Sequence, residues 1–246
     1  MKLALHNYTN AYPIVECLKQ HKIDYLADVP SKIINLLDSG QVDVALVPSA
    51  NLITREDLLP LLTVPGIASK NKVASVLLFC SKPLKEVKSI YADTDSQTSV
   101  QLCKLLARYS WKIDFSWAKD INSAEAVLLI GDKAMLEDKS SYIEVLDLGE
   151  QWFNYSGLSF VWALWVTKQK EKVNEIENEL SKIVKIDKKI MDSAMDRAVN
   201  DGKFSRDELE KYYRYNIKFN LGKNELKGLE KFLTSPNPLL KEGAIN

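Results

Sequence analysis

The chain is poor in the residues that most catalytic schemes use. It has two histidines, His6 and His21, and three cysteines, Cys17, Cys80 and Cys103, set far apart in apolar surroundings. No cysteine pair has the spacing of a metal site or a disulfide framework, so the three read as core thiols. GxSxG, HExxH, the Walker loop and GxGxxG are all missing, which removes the usual signatures of nucleophilic, zinc-hydrolytic and nucleotide chemistry. Long apolar runs are missing too. The longest, "GLSFVWALWV" at 157–166, is about half of the roughly 20 residues a membrane helix needs. The N-terminal "MKLALHNYTN" meets His6, Asn7 and Asn10 before a signal-peptide core could form. These features read as a cytoplasmic protein with no membrane partner. Charge of either sign is not in excess: Lys plus Arg is 33 and Asp plus Glu is 33, so nothing points to nucleic acid as a partner.

What is present is a core-forming chain of 246 residues, 46% of them hydrophobic, enough for one large domain or two lobes. Short β-rich runs alternate with helical stretches as far as about residue 165. "KLALHN", "IDYLADVP" and "VDVALVPS" read as strands, separated by the helices "PIVECLKQH", opened by Pro13, and "SKIINLLDSG", with Ser31 as cap and Gly40 as stop. The cycle returns with "KVASVLLFCS", "SIYAD", the helix "TSVQLCKLLARY", "WKIDFSW", "AEAVLLIGD", "KAMLED", "IEVLDLG" and "SFVWALWV". The pattern predicts an α/β fold with a largely parallel sheet. Beyond about 168 the chain becomes Lys- and Glu-rich helix, with a capping box of Ser205 and Glu208 and a last helix that buries Leu226, Leu229 and Phe232.

No linker divides the chain, so the continuous strands "SVLLFCS" and "SFVWALWV" are the expected crossings between two lobes. One lobe takes 1–79 plus 163–246 and the other 80–162, with a ligand cleft at the hinge.

Polar residues gather where predicted strands end, the rim at which open α/β sheets collect ligands. Asn10 follows the first strand, Pro48, Ser49 and Ala50 follow "VDVALV", Ser96, Thr98 and Ser99 follow "SIYAD", and Gly131 and Asp132 follow "AVLLI". Each has a simpler reading as a cap or turn residue. Thr98 with Gln101 fits a capping box, and Asp132 suits the start of "KAMLED". One cap leaves two of the three hydroxyls at 96–99 unexplained. A helix N-terminus with surplus hydroxyls suits a carboxylate, although Asp93 and Asp95 would oppose an anion locally.

Taken in order, "NYTNAYPI", "DVPSKIINLLDSGQVDVALVPS", "GIASKNKVASVLLFCS", "DSQTSVQL", "AVLLIGDKAM", "DLGEQWFNYSGLSFVWALW" and "YNIKFNLGKNELKGLEKFL" resemble the menaquinone-biosynthesis proteins of the futalosine route, in their chorismate dehydratase branch. The resemblance implies a two-lobed periplasmic-binding-protein type II fold with two hinge crossings and C-terminal helices. It implies a cofactor-independent, metal-free lyase acting on a small dicarboxylate, chorismate, to give 3-[(1-carboxyvinyl)oxy]benzoate and water. The family's cleft asparagine falls on Asn10 and its carboxylate-holding Ser/Thr pair on Thr98 and Ser99. Ser49 and Ser75, with Asn10, are then expected to orient the ring and its enolpyruvyl arm. Two stretches depart from the family pattern: Gln97 stands where an arginine is usual, and "SGLSFVWA" replaces "TGLPFVFA", with Ser159 for proline and Trp162 for a smaller aromatic.

Two other readings stay open. The sibling branch that releases 1,4-dihydroxy-6-naphthoate shares the fold but depends on a histidine in the second lobe, and this chain has none after His21. An intracellular solute-binding or sensor protein would close on a small carboxylate without reacting, since one scaffold serves both purposes.

Overall fold

The first strand, β1 (Leu3–Leu5), is completely apolar and buried, and it runs parallel to β2 (Tyr25–Ala27) on one side and β3 (Val44–Pro48) on the other. Helices α1 (Tyr12–Gln20) and α2 (Pro30–Asp38) make the connections that parallel pairing requires. The computed structural model describes residues 1–92 and 97–236. Two short strands follow, β4 (Leu59–Pro60) and β5 (Ile67–Ser69).

A second sheet is built from β6 (Val76–Cys80), β7 (Ser89–Ala92), β8 (Ser116–Trp117), β9 (Ala126–Ile130) and β10 (Glu144–Asp147). Helices α3 (Gln97–Leu106), α4 (Gly131–Leu136) and α5 (Leu148–Ser156) belong to this half. The chain then returns through β11 (Phe160–Thr167), buried along its whole length, and ends in α6 (Val173–Ile183), α7 (Lys188–Asn200), α8 (Arg206–Lys211) and α9 (Lys223–Thr234). The strand orders are β2-β1-β3-β11-β4, with β5 also on β11, and β10-β6-β9-β7-β8.

The sheets are mixed rather than largely parallel. β11 is antiparallel to β3, β4 and β5, and β6 is antiparallel to β9 and β10. Both are the first strands the chain forms after leaving the other sheet, so they enter opposite in sense to strands linked by helical crossovers.

The expected crossings shift for the same reason. Boundaries at 79/80 and 162/163 would cut β6 and β11, yet Phe79 and Cys80 both pair with β9, and Val161 and Ala163 both pair with β5. The passages between sheets are the connecting residues 70–75 and 157–159.

Helix ends follow the sequence in most places. Pro30 occupies the first turn of α2 and Val29 its N-cap, so Ser31 is not the cap; Gly40 closes the turn after it with φ +70°. The capping box of Ser205 and Glu208 is present. α9 buries Glu225, Gly228, Leu229 and Phe232, leaving Leu226 half-buried. The three cysteines are all buried and unpaired. No described helix is long and apolar enough to cross a membrane.

Candidate active site

A cleft opens where the ends of β1, β3, β5, β9 and β11 meet the start of α3.

One wall is the chain leaving β1. His6 and Tyr8 line the cleft with their rings 5.1 Å apart, and the 3₁₀ turn Thr9–Ala11 brings in Asn10. The turn is held from behind by the C-terminal region. The Tyr213 hydroxyl donates to the Thr9 carbonyl at 2.6 Å, and Asp132 accepts from the Thr9 N–H at 3.1 Å. The Tyr212 hydroxyl donates to Ser75 Oγ at 2.8 Å and also hydrogen-bonds the Asn10 side chain. Both tyrosines lie in a π-helical turn, Tyr212–Asn216, a widened geometry often found beside functional sites. Burial keeps both phenols protonated far above the ordinary range.

Two side-chain atoms on this wall are buried without a partner: His6 Nδ1 and Asn10 Oδ1. Buried polar atoms are nearly always hydrogen-bonded, so the pair marks where polar atoms of a ligand fit. Burial pushes the His6 pKa down to about 4, against an opposing pull from Asp132, so its imidazole is neutral near pH 7.

The facing wall is the first turn of α3. Thr98 and Ser99 are buried there and line the cleft, with Gln97 exposed at its mouth. Because α3 begins at Gln97, Thr98 sits inside the helix and does not cap it; its Oγ1 accepts the Ala50 N–H at 3.0 Å and keeps its proton to donate. Ser96, with Asp93 and Asp95, lies outside the described residues.

The floor is the passage between the sheets. Asp147 accepts from the N–H groups of Val73 (3.0 Å) and Ala74 (2.7 Å) and from Gly149 and Glu150 in the first turn of α5. Its pKa is raised by burial, which those four bonds oppose. This grip holds Ala74 at φ +61°, a left-handed conformation that costs a residue with a Cβ about 1–2 kcal/mol, immediately before Ser75 in the cleft. Gly131 is favoured where it stands by its φ of +59°, a left-handed conformation that strains a residue with a Cβ. On β11 the register against β5 slips between Val161 and Ala163. This one-residue bulge turns Trp162 toward the cleft, where its Nε1 donates to Ser69 Oγ at 3.0 Å.

Of the sequence candidates, Asn10, Pro48, Ser75, Thr98, Ser99 and Gly131 come together around this cleft. Three do not line it. Ser49 is fully buried and donates to the Val161 carbonyl at 2.7 Å, and Ala50 serves through its N–H on Thr98. Asp132 faces away, binding Thr9 N–H and Lys203 Nζ at 2.9 Å. Strand-end reasoning overlooks Trp162, which lies inside a strand and reaches the cleft only through the bulge, and the apolar Ile67, Val73 and Ile130, which carry no polar signal. Among the described residues no Lys, Arg, Asp or Glu lines the cleft, and no three of His, Cys, Asp and Glu cluster as metal ligands.

The sequence is 30% identical over 188 residues to a Thermus thermophilus protein named chorismate dehydratase, covering 68% of this chain and 69% of that protein. It is 30% identical over 176 residues to a Campylobacter jejuni protein of the same name, covering 69% of this chain and 64% of that one. The matched part is thus less than two thirds of the Campylobacter protein. Among solved structures, a Candida albicans protein described as exhibiting the generic periplasmic binding protein fold superposes with a TM-score of 0.63 at 13% identity, covering 95% of this chain and 88% of that one. The two-sheet architecture is therefore the periplasmic-binding-protein fold, as the motifs predict. The family model for menaquinone biosynthesis matches residues 1–235, and the chain belongs to that family.

Proposed function

We propose that the protein is a chorismate dehydratase of menaquinone biosynthesis, acting inside the cell on a small dicarboxylate bound in the cleft. The observation that carries the reading is the composition of the cleft in a chain of this family: hydroxyls and a helix start on one wall, two partner-free polar atoms on the other, and no Lys, Arg, Asp or Glu among the described residues that line it. Loss of water from chorismate breaks the C–H bond next to the carbon that bears the ring hydroxyl. Those electrons form the double bond that completes an aromatic ring, and the hydroxyl leaves with a proton as water. Aromatisation supplies the driving force, so positioning carries much of the catalysis, with well-oriented groups worth several kcal/mol.

Thr98, Ser99 and the N–H groups opening α3 suit one carboxylate of the substrate. Asn10 Oδ1, held by Tyr212 and the Thr9–Ala11 turn, accepts a hydrogen bond from the ring side, and Ser75 borders the same space. Because no Asp or Glu is among the described residues lining the cleft, the substrate's own second carboxylate is the favoured proton acceptor. Gln97 at the mouth offers an uncharged amide where the family pattern has arginine.

The test is to incubate purified protein with chorismate and follow 3-[(1-carboxyvinyl)oxy]benzoate by mass spectrometry. Product formation is expected. Tight binding of chorismate without product would overturn the enzyme reading in favour of a solute-binding protein, a role to which the fold is also suited.

A further inference from the structure

His6 is the one histidine in the cleft, and nothing in the chemistry above uses it. It is 5% exposed, its Nδ1 has no partner, and it lines the same space as Asn10 Oδ1. A buried polar atom left unpaired at the wall of a cleft is where a polar atom of a bound molecule fits. The chemistry of that ligand atom is restricted. The ring is neutral, so Nδ1 is an acceptor in one tautomer and a donor in the other. A hydroxyl satisfies either; a carboxylate satisfies only the donor. The charge nearby argues the same way. Asp132, close enough to act on the imidazole, is paired with Lys203 Nζ at 2.9 Å, and among the described residues no Lys or Arg lines the cleft to meet an anion at this corner, while the hydroxyls of Thr98 and Ser99 lie across it. The two walls thus sort a hydroxy-carboxylate by its polar groups.

We propose that His6 is a substrate-contacting specificity residue whose Nδ1 hydrogen-bonds the ring hydroxyl of chorismate, the group that leaves as water. The inference rests on the dehydratase reading, and it adds a distinction between substrate and product, because the product has lost this hydroxyl.

The experiment compares wild type with His6→Phe, which keeps an aromatic ring without the nitrogens, and His6→Asn, which returns a polar atom near the position of Nδ1. Steady-state kcat/KM for chorismate and the inhibition constant of added product are measured on each, with melting temperatures as a check on folding. His6→Phe is expected to lower kcat/KM about tenfold or more while the product constant stays within about twofold, and His6→Asn is expected to recover most of the loss. Unchanged kcat/KM in His6→Phe, or an equal loss of substrate and product affinity, overturns the proposal. If His6→Phe does not fold, ¹⁵N imidazole spectra of the wild type decide, since only two histidines contribute. A ring-reduced chorismate that keeps the hydroxyl but cannot aromatise is expected to move the His6 Nδ1 signal, and the product is not; a signal moved by both or by neither overturns it. Absence of any turnover in wild type is a separate failure, of the dehydratase reading itself.

Discussion

Thr98 Oγ1 accepts a hydrogen bond from the backbone N–H of Ala50 at 3.0 Å, joining the first turn of α3 in one half of the molecule to the segment after β3 in the other. The contact is buried, and it sets the distance between the two sides of the cleft at the point where a carboxylate would sit. Replacing Thr98 by Val keeps the shape and leaves the Ala50 N–H without a partner. An expected loss of about 1 to 3 kcal/mol in urea-induced unfolding, with a raised KM for chorismate, is checked against Thr98→Ser, which keeps the hydroxyl and should approach wild type in both.

Tyr212→Phe removes the hydroxyl shared with Ser75 Oγ at 2.8 Å and with the Asn10 side chain. Stability should fall by about 1 kcal/mol, whereas kcat should fall further than that figure alone implies, because Asn10 loses its orientation. Asn10→Ala should lower kcat/KM at least about tenfold with a small change in melting temperature. Retention of full turnover in Asn10→Ala would remove that side chain from the mechanism.

The buried imidazole of His6 gives a pH signature. Its folded pKa of about 4 lies below the ordinary 6.5, so from pH 6.5 downward the unfolded chain takes up a proton that the folded chain refuses. Stability is fully present above pH 6.5 and declines toward pH 4, by about 3 kcal/mol in all. Urea titrations at pH 7, 5.5 and 4.5 should show this decline in wild type. In His6→Phe the decline is expected to be shallower by most of that amount.

Ala74 at φ +61° is held in a conformation that glycine adopts freely. Ala74→Gly relieves the strain in the folded chain while adding freedom to the unfolded one, and the expected net is a stabilisation of up to about 1 kcal/mol. Asp147→Ala removes the carboxylate that grips Val73, Ala74, Gly149 and Glu150, and should cost about 3 kcal/mol or more. Chemical denaturation of the two variants, with opposite signs of change, checks the account of the hinge.

Ser159 is fully buried and donates to Glu225 Oε1 at 2.7 Å while accepting from Asn224. Burial pushes the Glu225 carboxyl up, but Lys218 and Ser159 outweigh it and hold it below the usual range. Ser159→Ala should therefore destabilise by about 1.5 to 3 kcal/mol, the range for a hydrogen bond to a charged group. Ser159 then fastens α9 to the passage between sheets and is not among the residues lining the cleft, so KM should be unchanged.

Local chemistry made much of this molecule readable. The apolar runs of β3, β6, β9 and β11, the first-turn proline of α1, and the capping box of Ser205 and Glu208 are short-range patterns, set by burial of a strand or by the first turn of a helix. The position of Asn10, Thr98 and Ser99 at strand ends is of the same kind, and so is the zero charge balance. The tertiary structure decided what those residues face. Asp132 and Ser49 have the same strand-end signature as Asn10, yet Asp132 turns to Lys203 and Thr9, and Ser49 to the Val161 carbonyl. Each nearest partner lies far along the chain, where no periodicity reaches. Trp162 enters the cleft because a bulge adds one residue to β11, and His6 Nδ1 has no partner because the fold buries it where no polar group of the described residues docks against it. Spacing along a chain governs which face of an element is apolar, whereas pairing between distant polar groups depends on how the elements dock. For that reason the fold and the rim of the cleft are legible in the sequence, and the partition of its polar residues into structural and ligand-facing ones is not.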